Sequence, residues 1–357
     1  MNHTATVLIF ATREEPADQL DKLKNGGCKL IFGEKRWQLP GGKYENDFAE
    51  SARDADAMMG TSIRETPITA RVIQASNRLR IISKYTVGFD DIDVEAATSL
   101  GILVCNAPTE ANCFGVAEST IAMMLAMLKK LRERDADIRA GRWREPSVLA
   151  TYVGSRASDG YPGITLGLVG LGRVASRVAD LLAPWKIRII GYDPYVDPTK
   201  FLLHRVERVD YATLLSQADV VSFHVSLTKE TRHMLRDEQI ALMKPSAIVI
   251  NTSRGKVIQE SELADAISNG KLAGAAIDAF EQEPLASDSP LRNLGNRVLM
   301  TPHAAAATDR DELRPGVEMS FNIVRTALGG KMPDNICNPE AIPLWKKRFG
   351  NVSLIAN

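Results

Sequence analysis

Three residues have the types and placement for carbonyl chemistry: Arg254 in Asn251-Thr252-Ser253-Arg254-Gly255, Glu283 in Phe280-Glu281-Gln282-Glu283-Pro284, and His303 in Thr301-Pro302-His303. Each lies just past an apolar, strand-like run, and strand ends are where an open α/β sheet builds its ligand crevice. A guanidinium fork engages a carboxylate through two parallel hydrogen bonds, so Arg254 reads as the anchor of an acidic substrate. An imidazole gives or takes a proton near neutral pH, which suits His303 to acid and base work. A carboxylate on its other ring nitrogen would fix the tautomer, and Glu283 is the candidate. Asp278, five residues before Glu283, ends the preceding apolar run and could accept from a cofactor carboxamide. A cation, a carboxylate and an imidazole together suffice to bind a 2-oxo acid and move a proton at its carbonyl.

The elements that must position these groups alternate between strand-like and helix-like stretches, the mark of parallel α/β architecture. A first series of strands is expected at 6–11, 57–60, 79–83 and 103–105. A second, more regular series is expected at 165–169, 187–192, 220–224, 247–250, 275–277 and 298–301. Between them, the stretch from Val116 to Gly141 reads as one helix, apolar nearly all round in its first half and charged in its second. A polar, irregular loop is expected from Arg144 to Gly163, and a solvated tail around Lys346, Lys347 and Arg348.

A glycine-rich turn opens the second series. Gly170, Gly172 and Ala175 in Gly167-Leu168-Val169-Gly170-Leu171-Gly172-Arg173-Val174-Ala175 follow the G-x-G-x-x-A pattern between a strand and a helix. Glycine permits the turn and lets the backbone approach a pyrophosphate, which then sits at a helix N-terminus where free N–H groups favour anions. Asp193 follows Gly172 by 21 residues, close to the spacing of a carboxylate that binds a ribose 2′-hydroxyl. A carboxylate there repels a 2′-phosphate, so NAD is expected over NADP.

Composition narrows the classes of function. Of 357 residues 45% are hydrophobic and 25% charged, ordinary for a globular protein of about two domains. Lysine plus arginine (44) equals aspartate plus glutamate (44), so no global field favours nucleic acid or an anionic membrane. Cys28, Cys105, Cys113 and Cys337 are scattered, suggesting neither a metal site nor a disulfide framework. The N-terminus lacks the basic flank and cleavage pattern of a signal peptide, and no run is expected to span a membrane. The expected compartment is the cytoplasm.

These residues resemble the D-isomer-specific 2-hydroxyacid dehydrogenase family. The match runs over nearly the whole chain, from Tyr85-Thr86-Val87-Gly88-Phe89-Asp90 through Asn106-Ala107-Pro108, Val116-Ala117-Glu118 and the glycine turn to Thr301-Pro302-His303. The resemblance implies two Rossmann-like doubly wound α/β domains, a flavodoxin-like substrate domain (1–110 with 306–357) and a dinucleotide-binding domain (111–305). It implies that Arg254 binds the substrate carboxylate and carbonyl, that His303 is the general acid and base, and that Glu283 supports it. Backbone amides at Val87 and Gly88 would hold the carboxylate. Gly170, Gly172, Arg173, Val174, Asp193 and Thr228 would bind NAD, with Thr252 and Asp278 beside the nicotinamide. Domain closure, with hinges near 106–112 and after His303, would exclude water. A homodimer is expected through the Val116 to Gly141 helix and the Arg144 to Gly163 loop.

Departures from the family pattern bear on specificity. Thr86 stands where glycine is frequent and Asp91 where asparagine is common. Ser226 replaces a usual proline, and Ala304-Ala305-Ala306 replaces paired glycines. Substrate choice is expected around Thr86 and residues 60–64, with Arg64 as a distal cation only if it is more than surface charge. Glu283 argues against formate dehydrogenase, a relative with glutamine there. Pro302-His303-Ala304-Ala305 also resembles NAD-binding corepressors, which share the fold without metabolic turnover, although they follow it with tryptophan where this chain has Ala306.

Overall fold

The computed structural model of the chain describes residues 4–11, 15–38, 44–62, 66–306 and 314–355. They form two compact units, Met1–Asn112 with Asp309–Asn357, and Cys113–Thr308.

In the first unit β1 (Thr6–Ala11), β2 (Lys29–Phe32), β3 (Ala57–Gly60), β4 (Ile81–Lys84) and β5 (Leu103–Cys105) make one parallel sheet in the order β2-β1-β3-β4-β5. That is the flavodoxin-like order. Alternate residues face opposite sides of a strand. Val7, Ile9, Met59, Ile81 and Leu103 accordingly pack with Phe321 and Trp345, whereas Leu8, Phe10, Met58, Ile82 and Val104 pack with Phe48 and Val72. The helix Arg314–Leu328 lies close on the sheet: a Cβ on Gly316 would stand 2.1 Å from the Tyr85 carbonyl oxygen.

In the second unit β6 (Thr165–Val169), β7 (Arg188–Tyr192), β8 (Glu207–Arg208), β9 (Val220–Phe223), β10 (Ile248–Asn251), β11 (Gly274–Ile277) and β12 (Val298–Met300) form a parallel sheet. Its order is β12-β11-β10-β9-β6-β7-β8. The order reverses between β6 and β9, and ligands of doubly wound sheets bind at such a switch point. The glycine turn leaves β6 there, while Arg254, Glu283 and His303 follow β10, β11 and β12 at the same C-terminal edge.

Four expectations need correction. The first sheet has a fifth strand, β2, and the second a seventh, β8. β2 is a four-residue edge strand, and both residues of β8 are exposed, so neither carries a buried apolar pattern. The single helix expected from Val116 to Gly141 is two, Glu110–Leu128 and Leu131–Arg139, broken where Lys130 takes a left-handed φ of 50°. The 19-residue first helix is long and apolar enough to cross a membrane by length and composition alone, contrary to expectation. Its Ala117, Met123, Met124 and Leu128 instead join the core of the second unit. In the basic run near the C-terminus Lys346 and Lys347 are exposed, but Arg348 donates to the carbonyls of Leu100 and, at 2.7 Å, of Asn77. Arg64 lies outside the described residues.

Candidate active site

The loop after β10 is built around a buried asparagine. Asn251 accepts from the Ser253 backbone N–H at 3.1 Å and hydroxyl at 2.8 Å, and its Nδ2 donates to the Arg254 carbonyl at 3.0 Å. Arg254 Nη1 donates to the Ser253 carbonyl at 2.7 Å. Gly255 then passes against the next loop so closely that a Cβ would stand 1.8 Å from the Phe280 carbonyl carbon. That approach sets the arginine loop directly on the loop that carries Glu283.

Glu283 Oε1 accepts from the Phe280 backbone N–H at 3.0 Å and meets His303 Nδ1 at 2.7 Å. The carboxylate and imidazole expected to pair from sequence are thus paired, both partly buried. His303 has a left-handed φ of 53°, which histidine tolerates better than most residues. Its loop is held from below by Asp278, only 1% exposed. That carboxylate accepts from the Thr301 hydroxyl at 2.6 Å and from the N–H groups of Ala304 and Ala305 at 2.9 and 3.1 Å. Asp278, singled out for a cofactor, is therefore first a bracket for the histidine loop. No signal in the sequence indicated that role, because its partners lie past the next strand.

His224 is no competing proton carrier. Its Nε2 lies 2.9 Å from the Ser222 hydroxyl, and burial pushes its pKa down to about 4, keeping the ring neutral at neutral pH. Alongside the main pair, His233 Nε2 lies 2.5 Å from Glu281 Oε1, and Glu281 also accepts from the Glu260 N–H at 3.3 Å. Burial pushes the Glu260 carboxyl up to about 7, with the Glu281 charge adding to the rise.

The glycine turn fits a dinucleotide on its own geometry. Gly170 has φ +85°, and a Cβ there would meet Val225 Cγ1 at 2.9 Å. Gly172 faces open space, with nothing within 4 Å of a Cβ, and caps the helix Arg173–Leu182, whose N-terminus has no side-chain cap. Arg173 and Val174 occupy its first turn. A helix N-terminus without a side-chain cap, opening on a glycine that leaves space for a ligand, suits a pyrophosphate. Asp193 accepts from Leu171 N at 2.8 Å and from Tyr195 N and Val196 N at 2.9 and 3.2 Å, tying the end of β7 to the turn. A carboxylate has about four acceptor positions, so room remains for a ribose hydroxyl. Thr228, by contrast, closes an exposed local turn with Glu230 and Thr231, both donating to its hydroxyl at 3.2 Å.

In the first unit Val87 and Gly88 lie on the loop after β4. The Val87 carbonyl accepts from Asn106 Nδ2 at 2.8 Å, and Thr86 Oγ1 donates to the Gly88 carbonyl at 3.3 Å. Asp91 has a structural explanation: Lys84, fully buried, donates to it at 2.5 Å and to the Thr61 carbonyl at 3.1 Å.

A family model described as the NAD binding domain of D-isomer specific 2-hydroxyacid dehydrogenases matches residues 121–305. A glyoxylate reductase from Korarchaeum cryptofilum is 37% identical over 349 residues, covering 96% of this chain and 98% of that protein. The chain belongs to the D-isomer specific 2-hydroxyacid dehydrogenase family. It is 36% identical over 327 residues to a D-3-phosphoglycerate dehydrogenase from Methanocaldococcus jannaschii, of which it spans 60%. A D-lactate dehydrogenase from Aquifex aeolicus, solved with NAD and lactic acid, superposes with a TM-score of 0.76 at 27% identity, covering 95% of this chain and 97% of that one. The protein is an NAD-dependent 2-hydroxyacid dehydrogenase, and a purely regulatory NAD-binding role is not favoured.

Proposed function

We propose that this dehydrogenase interconverts a short 2-oxo acid of the glyoxylate class and the corresponding 2-hydroxy acid, of D configuration where C2 is a stereocentre, with His303 as the proton carrier. The observation that carries this reading is the 2.7 Å pairing of His303 Nδ1 with Glu283. The pairing commits one ring nitrogen to the carboxylate and assigns proton exchange with the substrate oxygen to the other. Bound NADH supplies the hydride that reaches the substrate C2. Arg254 holds the substrate carboxylate and faces the carbonyl oxygen as negative charge develops there, while the imidazolium of His303 gives that oxygen its proton. In the reverse direction neutral His303 takes the hydroxyl proton. Thr252 and Asp278 would lie beside the nicotinamide. The full-length likeness to a glyoxylate reductase and the bulk of Thr86 where glycine is frequent both favour a small side chain.

A panel of 2-oxo acids scored by loss of NADH absorbance tests this reading. The highest kcat/KM is expected on glyoxylate and acids one or two carbons longer. A protein that binds NADH and reduces none of them overturns it. Asp193→Ala is expected to weaken NADH about tenfold, the cost of one charged hydrogen bond, and to narrow its advantage over NADPH. An unchanged ratio of the two dissociation constants would remove Asp193 from that role.

The quaternary reading is a homodimer. Leu131, Ile138, Trp143, Leu149 and Tyr152 are each at least half exposed along the second of the two helices and the following arm. Lys130 Nζ and Arg134 Nε hold that arm by donating to the Ser147 and Val148 carbonyls at 2.7 and 3.1 Å. An apolar surface built this firmly suits a second copy of the chain. Light scattering at twice the chain's 39.1 kDa is the expected result, and a monomer at micromolar concentration rejects the dimer. The cytoplasm is the compartment that suits its four free cysteines.

A further inference from the structure

Two adjacent hydroxyls, Ser119 and Thr120, stand in the middle of the apolar helix Glu110–Leu128. Neither is needed for helix formation, and a hydroxyl in an apolar core is costly unless it is hydrogen-bonded. Each reaches a different loop of the site. Ser119 Oγ donates to the Ala305 carbonyl at 2.7 Å, two residues past His303. Thr120 Oγ1 lies 2.9 Å from Thr252 Oγ1, two residues before Arg254, and both threonines are buried.

The direction of the second bond follows from proton count. Thr120 Oγ1 donates its one hydrogen to the Val116 carbonyl at 2.8 Å. The hydrogen between the two hydroxyls must then come from Thr252, giving a chain from Thr252 through Thr120 to the Val116 carbonyl. Thr252 is thereby left with lone pairs alone to offer a ligand. Such chains polarise each link and lock the rotamers of their members. At the Ala305 end the same loop is already gripped through its N–H groups by Asp278. Ser119 holds the carbonyl side, so the segment after His303 is fixed from both sides.

The geometry points to Ser119 and Thr120 as positioning residues of the dehydrogenase: one helix sets the histidine loop and the arginine loop relative to each other, and Thr120 makes the Thr252 hydroxyl an acceptor on the cofactor side. The inference rests on the roles given above to His303, Arg254 and Thr252. It adds that a helix expected from sequence to serve a dimer interface is also the gauge that spaces them.

The test compares Thr120→Val, Thr120→Ser and Ser119→Ala in the full chain by NADH fluorescence titration without substrate, by kcat and KM, and by thermal midpoint. Thr120→Val keeps the branched shape and loses the hydroxyl. It is expected to weaken NADH about tenfold and Thr120→Ser to restore binding, since one buried hydrogen bond is at stake. Ser119→Ala is expected to lower kcat about tenfold with NADH affinity within about twofold, because only the histidine loop is loosened. Wild-type NADH affinity in folded Thr120→Val, equal impairment in Thr120→Ser, or wild-type kcat in Ser119→Ala overturns the inference. Should Thr120→Val fail to fold, the other two variants decide it. A wild-type protein that reduces no 2-oxo acid defeats the functional reading instead, and the NADH titrations then decide this one.

Discussion

Replacing His303 with alanine is expected to lower kcat about a thousandfold, the range for losing a positioned general acid and base, and to leave the NADH dissociation constant within about twofold. The asymmetry follows from the connections of the ring. It pairs with Glu283, on the loop after β11, whereas the glycine turn and Asp193 belong to the loops after β6 and β7. Removing the imidazole leaves the Asp278 grip on Ala304 and Ala305 in place, so the loop keeps its course. Glu283→Gln is expected to cost less, because an amide oxygen can still accept from Nδ1 while the charge that favours the imidazolium is gone. Steady-state kinetics with fluorescence titration separate the two effects. Turnover in His303→Ala within about tenfold of wild type would assign the proton to another group.

The second large effect contrasts two glycines. Gly255→Ala is expected to lower the unfolding midpoint by roughly 10 °C or to prevent folding, since a large loss of stability follows when a backbone clash has no side chain to move. The new Cβ would stand 1.8 Å from the Phe280 carbonyl carbon and 1.9 Å from its oxygen. Gly172→Ala meets nothing within 4 Å at an ordinary φ of −75° and is expected to fold unchanged. Its cost falls on NADH, because the methyl group occupies the approach to the helix N-terminus. Calorimetry and NADH titration on both variants check the contrast. A stable Gly255→Ala, or a Gly172→Ala with full NADH affinity, contradicts it.

Both glycines stand in motifs visible in the sequence, yet the close approach at only one of them is legible there. The turn at 170–175 is legible because its spacing and the carboxylate 21 residues beyond restate the geometry of a ligand. The tight packing of Gly255 is hidden, because its neighbour Phe280 lies across a strand pairing that the chain order does not reveal. The same reason hides the second work of Asp278 and the partners of Ser119 and Thr120. Strands buried on both faces announce themselves as apolar runs, which is why β3 and β9 are legible. The edge strands β2 and β8 lack that pattern. The helix break at Lys130 has no glycine or proline to mark it, only a change from apolar to charged residues.

The division of the chain into Met1–Asn112 with Asp309–Asn357 and Cys113–Thr308 also divides the inheritance of this enzyme. Arg254, Glu283, His303 and Asp193 all fall in the second unit, whereas Thr86, Val87 and Gly88 fall in the first. On the function proposed above, a mutation in the loop after β4 is expected to alter which acid is accepted and to leave the residues of the second unit untouched. Directed evolution toward bulkier acids would therefore begin by randomising Thr86 and its neighbours and hold residues 113–308 constant.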